Sequence, residues 1–254
     1  MVNLKEIIEK IEQFAPSELA SDWDNSGWQV NLGNKSVNKI LLALSPTLNV
    51  INQAAEAKCD LIISHHPLIF GKLSKISADN ETSKAIITAI QNNIQIYSVH
   101  TNLDSCEGGI AEELAKVLGL KNIITPEYLQ EDASYVRIGE LENTKTISDF
   151  AQEVKKSLQV YKIKLINNTE IKEIKKVAVV PGSGASLIPK LRNIDALVTG
   201  DVKYHDALDA KNFIVIDAGH YETEQIIFHK LKELLKEFNI KVIIAEESPP
   251  WEII

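Results

Sequence analysis

The sequence predicts an α/β protein made of two duplicated halves, each with a mixed, largely parallel sheet. Short, continuous apolar segments alternate with amphipathic helical segments, which is typical of strands that are buried on both faces of a sheet. The order strand, helix, strand, helix, strand occurs twice along the chain. In both copies the last strand is followed by a histidine that has an acidic residue four positions later. These observations together indicate a repeated α/β unit.

The first half begins with a helix. Asn3 is a candidate cap, an apolar stripe runs at helical spacing from Leu4 to Phe14, and Pro16 should end the helix near Phe14. A polar, turn-rich stretch follows at 22–27. Apolar runs then predict strands at 39–44, 60–64 and 94–99, and periodic segments predict helices at 49–57, 83–92 and 110–118.

The rest of the chain divides into a connecting segment and a second copy. Strands at 135–141 and 161–167 flank a helix at 148–159, which predicts a connecting βαβ layer. Strands at 175–180, 195–199 and 213–216 then repeat the first half, with helices at 187–191 and around 207–210. We therefore expect a first α/β half at 1–127, a connecting βαβ segment at 128–170 and a second α/β half at 171–254.

Composition excludes several classes of protein. Hydrophobic residues make up 44% and charged residues 24% of the chain, which is ordinary for a globular protein. The net charge of -8, without a basic stripe, argues against nucleic acid or an anionic membrane as partner. The charged amphipathic start is unlike a signal peptide, so we expect a cytoplasmic protein. Cys59 and Cys106 have no paired spacing, which excludes a disulfide scaffold or a cysteine zinc site.

Two histidines follow directly after a predicted strand. His65 and His66 lie at the end of the apolar run 60–64, and Pro67 favours an extended conformation of His66. In open α/β sheets, ligands bind beyond the carboxyl ends of the strands. Imidazole is the commonest metal ligand, but an idle surface pair explains the same two residues equally well.

Two further motifs also follow strands. His100 precedes Asp104, whose carboxylate can ligate a cation, although a helix cap or an Asx turn explains a lone aspartate too. His100 itself could support a metal ligand through a hydrogen bond, carry protons or be a satisfied core histidine. His220 precedes Glu224 by four residues, which places both on one face of a helix. An acidic first turn of that helix is the alternative explanation for Glu224.

Two weaker signals lie in the second half. The stretch 199–206 occupies the place of 64–70 in the first half, so Asp201, Lys203 and His205 should border the same cleft. Lys203 could hold a phosphate, or simply be solvated. The loop 181–186 could cradle a phosphate, but it lacks the glycines of a dinucleotide loop and an ordinary strand-to-helix turn explains it.

The chain has no Gly-x-Ser-x-Gly elbow and no cysteine in register with a histidine, so side-chain nucleophiles are unsupported. Water activated by metal is the remaining route to hydrolysis. Two cations about 3.5–4 Å apart can share a hydroxide and polarise a substrate oxygen. Histidine and carboxylate ligands suit Zn, Fe, Mn, Co or Ni, and the sequence does not separate these metals.

The motifs together resemble the Nif-three-like family, whose members are dinuclear-metal-centre, hexameric proteins described as type-two GTP cyclohydrolase I homologues. The resemblance spans nearly the whole chain in order. It rests on Asp24-Asn25-Ser26-Gly27, His65-His66-Pro67, His100-Thr101-Asn102-Leu103-Asp104, Thr199-Gly200-Asp201-Val202-Lys203-Tyr204-His205 and Asp217-Ala218-Gly219-His220-Tyr221-Glu222-Thr223-Glu224.

The resemblance implies two intertwined, duplicated α/β units, a ring-shaped homo-hexamer and two divalent metal ions per chain. The metal ligands that it implies are His65, His66, Asp104, His220 and Glu224. The chain departs from the family where the first strand usually ends in Leu-Asp, because Leu44-Ser45 stand there. Ala111-Glu112 likewise replace an Asn-Asp pair after the double glycine, and Ala185 replaces a glycine of the later loop.

Two functions are compatible with this set of residues. The leading hypothesis is a metal-dependent hydrolase that acts on a purine nucleotide through a metal-bridging hydroxide, with His100 or His205 moving protons. The purine nucleotide, or another phosphate-containing small molecule, is implied only by the resemblance. The alternative is a non-catalytic hexameric scaffold or regulatory protein whose metals are structural.

Overall fold

The structure, a computed structural model, describes residues 1–252, so the last two positions of the predicted segment 171–254 lie outside the described residues. The chain forms a mixed α/β fold with two compact units. The first unit contains Met1–Cys106 and Phe228–Ser248, and the second contains Glu107–Ile227 together with the stretch that starts at Pro249. The chain therefore leaves the first unit and later returns to it.

The secondary structure is numbered in chain order. The strands are β1 (Val2–Asn3), β2 (Gly27–Val30), β3 (Ser36–Val37), β4 (Lys39–Ala43), β5 (Leu61–Ser64), β6 (Gln95–Ser98), β7 (Lys121–Ile124), β8 (Arg137–Thr146), β9 (Lys164–Ile166), β10 (Glu173–Val179), β11 (Ala196–Thr199), β12 (Ile214–Asp217) and β13 (Lys241–Ile244). The helices are α1 (Leu4–Phe14), α2 (Leu48–Glu56), α3 (Glu81–Gln91), α4 (Thr101–Ser105), α5 (Ile110–Val117), α6 (Ile147–Ser157), α7 (Tyr204–Asp209), α8 (His220–Glu224) and α9 (Phe228–Leu234).

The main sheet of the first unit has the order β13-β4-β5-β6-β2. Strands β13, β4, β5 and β6 are parallel, and β2 is antiparallel to β6 at the edge. Strands β1 and β3, which precede and follow β2 in the sequence, form a separate antiparallel pair. Because β4, β5 and β6 are parallel neighbours, their carboxyl ends meet at one edge of the sheet.

The sheet of the second unit has the order β7-β8-β10-β11-β12-β9. Its three central strands, β10, β11 and β12, are parallel, while β8 and β9 flank them in antiparallel orientation. The two strands of the segment 128–170 thus lie on either side of this parallel core. The predicted fold class, with mixed and partly parallel sheets, is confirmed.

The two sheets repeat one pattern. Each contains three parallel strands that are adjacent in space in the order in which they occur in the chain. In each, an antiparallel strand that precedes the triplet in the chain pairs with its third member, as β2 does with β6 and β9 with β12. The repeat is therefore longer than the strand-helix-strand order that the sequence predicts, since it also includes an edge strand.

The second sheet is buried on both faces, as the continuous apolar runs predict. Val177 and Val179 of β10 pack into one cluster of buried side chains, and Ala178 between them packs into another on the opposite face. The first unit has a comparable cluster under β4 and β5, which includes Leu41 and Ile62. None of the helices in the part of the chain that the structure describes has the length and apolar character needed to cross a membrane.

Candidate metal centre

The carboxyl ends of β5 and β6 carry the histidines of the first unit. His65 and His66 follow β5 directly, and His100 precedes α4, the short helix that contains Asp104. Ser64 and Ser98 are register partners in the parallel pair, so the residues that follow them emerge side by side. The ligand nitrogens of His65, His66 and His100 all lie within 4.8 Å of one another.

Asp104 completes this cluster. Its Oδ1 atom lies 3.7 Å from Nε2 of His65, and both side chains are buried. His65, His66, His100 and Asp104 are thus neighbours in the first unit. His100, which was not among the metal ligands expected from the sequence, lies as close to the histidine pair as a metal ligand would.

The three histidines are oriented by hydrogen bonds at the same ring atom. Nδ1 of His65 donates to the carbonyl oxygen of Val99 over 3.0 Å, and Nδ1 of His66 shares a hydrogen bond of 2.8 Å with Oγ of Ser45. Nδ1 of His100 lies 2.8 Å from Oδ1 of Asp24. In each ring Nε2 is thus the nitrogen through which a metal would bind. Histidines that ligate metals in proteins are oriented by such an oxygen partner at the other ring nitrogen.

Asp24 holds His100 and is a functional residue that sequence reasoning did not assign. Its fully buried carboxylate also accepts hydrogen bonds from the backbone and the hydroxyl of Thr101 and from Oγ of Ser26. Burial alone would raise the pKa of this carboxyl, but the bonds with His100, Thr101 and Ser26 together outweigh burial and hold the pKa well below its usual range. Asp24 is therefore a carboxylate at neutral pH.

Glu247 lies at the end of β4, next to Ser45. The carboxylate of Glu247 accepts hydrogen bonds from the backbone nitrogens of Leu44 and Ser45, over 2.6 and 2.9 Å. Ser45 in turn bonds to His66. The resemblance predicts an aspartate at the position of Ser45. In this chain the carboxylate next to that strand end comes from Glu247 instead, 203 positions after Leu44.

His220 and Glu224 are the first and last residues of α8 in the second unit, and their side chains lie together. Nε2 of His220 is 3.1 Å from Oε2 of Glu224, and Nδ1 of His220 is 2.7 Å from Oδ2 of Asp201. Burial alone would lower the pKa of His220, but Glu224 and Asp201 outweigh it and raise the pKa to about 9. His220 and Glu224 lie on one face of the helix, as predicted. The carboxylate of Asp201 contacts Nδ1 of His220, just as the carboxylate of Asp24 contacts Nδ1 of His100.

A glycine of the loop 181–186 packs directly against this pair. A Cβ atom on Gly182 would lie 2.1 Å from Oε1 of Glu224 and 3.2 Å from Nε2 of His220, and the φ of Gly182 is +59°. The backbone nitrogen of Gly182 donates to Oγ1 of Thr223, which fixes the loop to α8. In the structure this loop lies over the carboxylate of Glu224, a role that the sequence did not indicate.

The turn before α8 is held by Asp217. Its carboxylate accepts hydrogen bonds from the backbone nitrogens of Val202 and Gly219 and pairs with Nζ of Lys164 at 2.7 Å. Asp201 has a φ of +54°, a conformation that is uncommon outside glycine and that occurs at functional sites. These contacts set the direction in which Asp201 and His220 face each other.

His205 is placed differently. It lies exposed on α7, where its ring packs edge-on against Tyr204 with a centroid distance of 5.5 Å. Lys203, which precedes the same helix, is also exposed. The proton-transfer function expected for His205 stays a prediction.

The residues present fit divalent metal ions. Two ligand atoms that are each about 2.0–2.2 Å from one tetrahedral ion lie roughly 3–3.5 Å apart. The separations of 3.1 Å between His220 and Glu224 and 3.7 Å between His65 and Asp104 are close to that spacing. The donors are imidazole and carboxylate groups, which suit Zn, Fe, Mn, Co or Ni. The first unit therefore contains a cluster of three histidines, His65, His66 and His100, that can hold a metal ion.

Comparison with known families gives one match across almost the whole chain. Residues 2–250 match the sequence model of Duf34/NIF3 (NGG1p interacting factor 3). A protein of Clostridium acetobutylicum named "GTP cyclohydrolase 1 type 2 homolog" is 39% identical over 230 residues, covering 88% of this chain and 85% of that protein. A protein of Helicobacter pylori strain J99 named "GTP cyclohydrolase 1 type 2" is 34% identical, with full coverage of both chains.

Solved structures show the same fold. The structure described as "Reduced HcgD from Methanocaldococcus jannaschii" superposes with a TM-score of 0.86 and is 32% identical, covering 97% of this chain and 98% of that chain. A Staphylococcus aureus protein, SA1388, superposes with a TM-score of 0.87 at 28% identity, covering 100% of this chain and 99% of that one. The similarity extends over both units of the chain.

Proposed function

The chain belongs to the Duf34/NIF3 family, and from this membership we propose that it is a dinuclear-metal protein that hydrolyses a purine nucleotide. The names of its relatives make GTP the first substrate to test. The proposal includes a homo-hexamer with two divalent metal ions per chain, as expected from the resemblance, and a cytoplasmic location, as expected from the sequence.

One observation carries the metal-binding part of the proposal. Four histidines, His65, His66, His100 and His220, each have Nδ1 within hydrogen-bond distance of an oxygen atom. The partners differ, being a backbone carbonyl, a hydroxyl and two carboxylates, yet the same ring atom is held each time. Metal-ligating histidines such as the proposed His65, His66 and His220 need such a partner because it fixes the tautomer, and in His100 the same contact orients a proton carrier.

The proposed ligands are the five expected from the sequence. His65, His66 and Asp104 belong to the first unit, and His220 and Glu224 belong to the second. When bound, the two ions would supply Lewis acidity and would make water a stronger nucleophile at neutral pH. The buried positions of His65, Asp104 and Glu224 keep bulk water away from the ligand atoms.

The proposed proton carriers are His100 and His205. His100 has Nδ1 fixed on the buried carboxylate of Asp24, so its Nε2 is the atom that would accept or donate a proton. A histidine oriented by a carboxylate is a common general base. His205, exposed on α7, is the second proton carrier in the proposal.

Replacing Glu224 by glutamine is expected to lower the metal content of the purified protein. The substitution keeps the volume of the side chain but removes the charge that opposes a cation beside His220. Loss of a partner outside the ligand set already weakens metal affinity by about 10–100-fold, and loss of a ligand should weaken it more. Elemental analysis should give two metal ions per wild-type chain and fewer in Glu224→Gln.

Glu222 provides the matched control because it lies on the same helix, two positions earlier. Its carboxyl lies close to Gly219 and it is not among the proposed ligands. Glu222→Gln should retain two ions per chain. Equal metal content in both variants would remove Glu224 from the ligand set.

Metal-loaded protein is expected to open the imidazole ring of GTP and release formate. Formate should appear in step with the loss of the guanine absorbance. His100→Gln should reduce the rate by about 100-fold, since positioned proton transfer contributes roughly that much or more. His229→Gln, the same change at an exposed histidine of α9, should leave the rate unaltered.

Absence of formate and of any absorbance change would eliminate the cyclohydrolase. Metal-loaded protein that also left phosphate esters and amides intact, while keeping two ions per chain, would instead favour the non-catalytic scaffold. The metal content measured for Glu224→Gln tests the metal centre independently of both outcomes.

A further inference from the structure

A cavity of about 400 Å³ lies beside Asp201 in the second unit, and we call it the second-unit cavity. The charged and aromatic side chains on its wall are those of Lys162, Lys164, Asp201, Asp217, Glu222 and Trp251. Its volume lies within the range of roughly 300–1,000 Å³ that is usual for small-molecule sites. Because Asp201 also holds the ring of His220, the second-unit cavity adjoins the candidate metal centre.

Two of the three carboxylates on this wall are already engaged. Asp217 pairs with Nζ of Lys164 at 2.7 Å and accepts two backbone hydrogen bonds. Oδ2 of Asp201 lies 2.7 Å from Nδ1 of His220. In the part of the chain that the structure describes, the carboxylate of Glu222 accepts a hydrogen bond from its own backbone and bonds to no other residue. Glu222 is therefore the acceptor that is left for a ligand.

The turn before α8 determines where the carboxylate of Glu222 lies. Gly219 has a φ of +96°, and a Cβ atom at this position would overlap Oε2 of Glu222. The backbone nitrogen of Gly219 donates to Oδ1 of Asp217, which holds the turn. The half-buried side chain of Glu222 thus lies against a residue without a side chain, on the wall of the cavity. Two adjacent N–H donors in one plane are the complement of its two carboxylate oxygens.

Trp251 gives the second-unit cavity a flat apolar surface. Its side chain lines the cavity and is 54% exposed, so one part of the indole is open to a ligand. Aromatic side chains of this kind stack on the faces of nucleobases. Lys162, exposed on the same wall, adds a positive charge that suits a phosphate group. The cavity therefore combines a pair of acceptors, a stacking surface and a cation.

We propose that the second-unit cavity binds the guanine ring of a nucleotide, with its face on Trp251 and its N1–H and 2-amino groups donating to the carboxylate of Glu222. The idea that this nucleotide is the substrate rests on the proposed function, whereas the match between the ring edge and the carboxylate does not. Glu222 is then the residue that determines which base is bound.

The other bases complement a carboxylate less well. Guanine has two adjacent N–H donors on its Watson–Crick edge, whereas adenine has one donor and one acceptor there. The acceptor nitrogen of adenine would face a carboxylate oxygen with no proton between them, which leaves both unpaired and costs binding free energy. Adenine stacks on an indole as guanine does, so the acceptor pair and not the stacking surface separates the two purines.

The test compares ligands that differ only in the base or lack it. Metal-loaded full-length protein is titrated calorimetrically with GTP, ATP and inorganic triphosphate. Wild type should bind GTP about tenfold or more tightly than ATP, the effect of a hydrogen bond to a charged group. Glu222→Gln should weaken GTP binding by a similar factor and strengthen ATP binding, because a carboxamide offers one donor and one acceptor to match adenine. The binding of triphosphate and the metal content should not change.

Glu170→Gln is the matched control, since Glu170 is a fully exposed glutamate of the second unit. It should bind all three ligands as the wild type does. Trp251→Leu should weaken GTP and ATP alike by about tenfold, the effect of losing one stacked aromatic partner, without altering the binding of triphosphate. Trp251→Phe, which keeps an aromatic surface, should restore most of this affinity.

An unchanged ratio of GTP to ATP affinity in Glu222→Gln would overturn the proposal. An equal loss for GTP, ATP and triphosphate in that variant would overturn it as well, since the damage would then not concern the base. Full affinity for both nucleotides in Trp251→Leu would remove the stacking surface from the site.

This proposal and the cyclohydrolase can fail separately. GTP that is bound selectively through Glu222 but yields no formate supports the base site and refutes the cyclohydrolase. GTP that is hydrolysed with the same KM, and with the same preference over ATP, by wild type and Glu222→Gln supports the hydrolase and refutes the base site.

Discussion

Gly182→Ala is expected to lose at least one of the two metal ions while the protein remains folded. The new Cβ would lie 2.1 Å from Oε1 of Glu224, so one of the two must move. The flexible end of the glutamate side chain moves more readily than the backbone of Gly182, whose nitrogen is bonded to Thr223. The proposed ligand would therefore be displaced. Elemental analysis of the purified variant, with wild type beside it, measures the loss.

Gly119→Ala separates this displacement from backbone strain. Gly119 has a φ of +74° and Gly182 has +59°, so alanine in this left-handed region should destabilise either variant by about 1–2 kcal/mol. A Cβ on Gly119 would meet nothing within 4 Å. Urea unfolding should therefore show similar losses of stability in both variants, but only Gly182→Ala should lose metal. Full metal content in Gly182→Ala would mean that Glu224 does not ligate.

Asp24→Asn is expected to destabilise the metal-free protein by about 2–3 kcal/mol, since a buried carboxylate with several donors is replaced by an amide that accepts fewer bonds. The side chain is fully buried and bonds to His100, Thr101 and Ser26. The amide nitrogen of the new asparagine is a hydrogen-bond donor, and it would face the groups of His100, Thr101 and Ser26 that now bond to the carboxylate. The free energy of unfolding in urea at pH 6 measures the effect.

The same contacts give the stability a predictable dependence on pH. Because the pKa of Asp24 is lower in the folded than in the unfolded chain, ionisation of Asp24 favours folding. This contribution is fully present above the unfolded pKa of about 3.9 and is lost as the pH falls below it toward the folded value. The stability difference between wild type and Asp24→Asn should therefore narrow from pH 6 to pH 3. Asp22→Asn, at an exposed neighbouring position, should show no such narrowing. A constant difference at all pH values would contradict the assignment.

Local signals predicted the helices and the buried strands well. Helix α1 spans Leu4–Phe14 as expected, with Oδ1 of Asn3 accepting a hydrogen bond from the backbone of Lys5. Its cap, apolar stripe and terminating proline all lie in one continuous stretch of sequence, from Asn3 to Pro16. The helix expected at 187–191 is instead a 3-10 turn at Ala185–Leu187. Pro189 explains the difference, because it has no N–H to continue an α-helical ladder.

The edge strand β9 lies within the strand expected at 161–167, but the edge strands β2, β7 and β13 were not predicted. Strand β2 has the sequence GWQV, which has neither a continuous apolar run nor a clear alternation. It is a strand because it pairs with β6, about 70 positions further along the chain. Strands β7 and β13 are also edge strands with a single pairing partner, and β13 was missed although its sequence, KVII, has a short apolar run.

The candidate site was predicted to the extent that its residues follow strands. His65, His66, His100 and His220 could be found because each lies just beyond an apolar run. Asp24 could not be assigned a function from spacing, since it lies in a turn 76 positions before His100. Glu247 and the close approach of Gly182 to Glu224 depend on tertiary contacts in the same way. Such contacts leave no periodic signal in a single sequence.

The return of the chain to its first unit has a consequence for biosynthesis. Strand β4 needs β13 as its outer neighbour, and Ser45 at its end needs Glu247, yet both partners are translated about 200 residues later. While the ribosome is still making the second unit, β4 presents a hydrophobic edge to which other nascent strands can add. The contact of Glu247 with Leu44 and Ser45, next to His66, therefore forms last. A chain that terminates early lacks both the outer strand of the sheet and this contact.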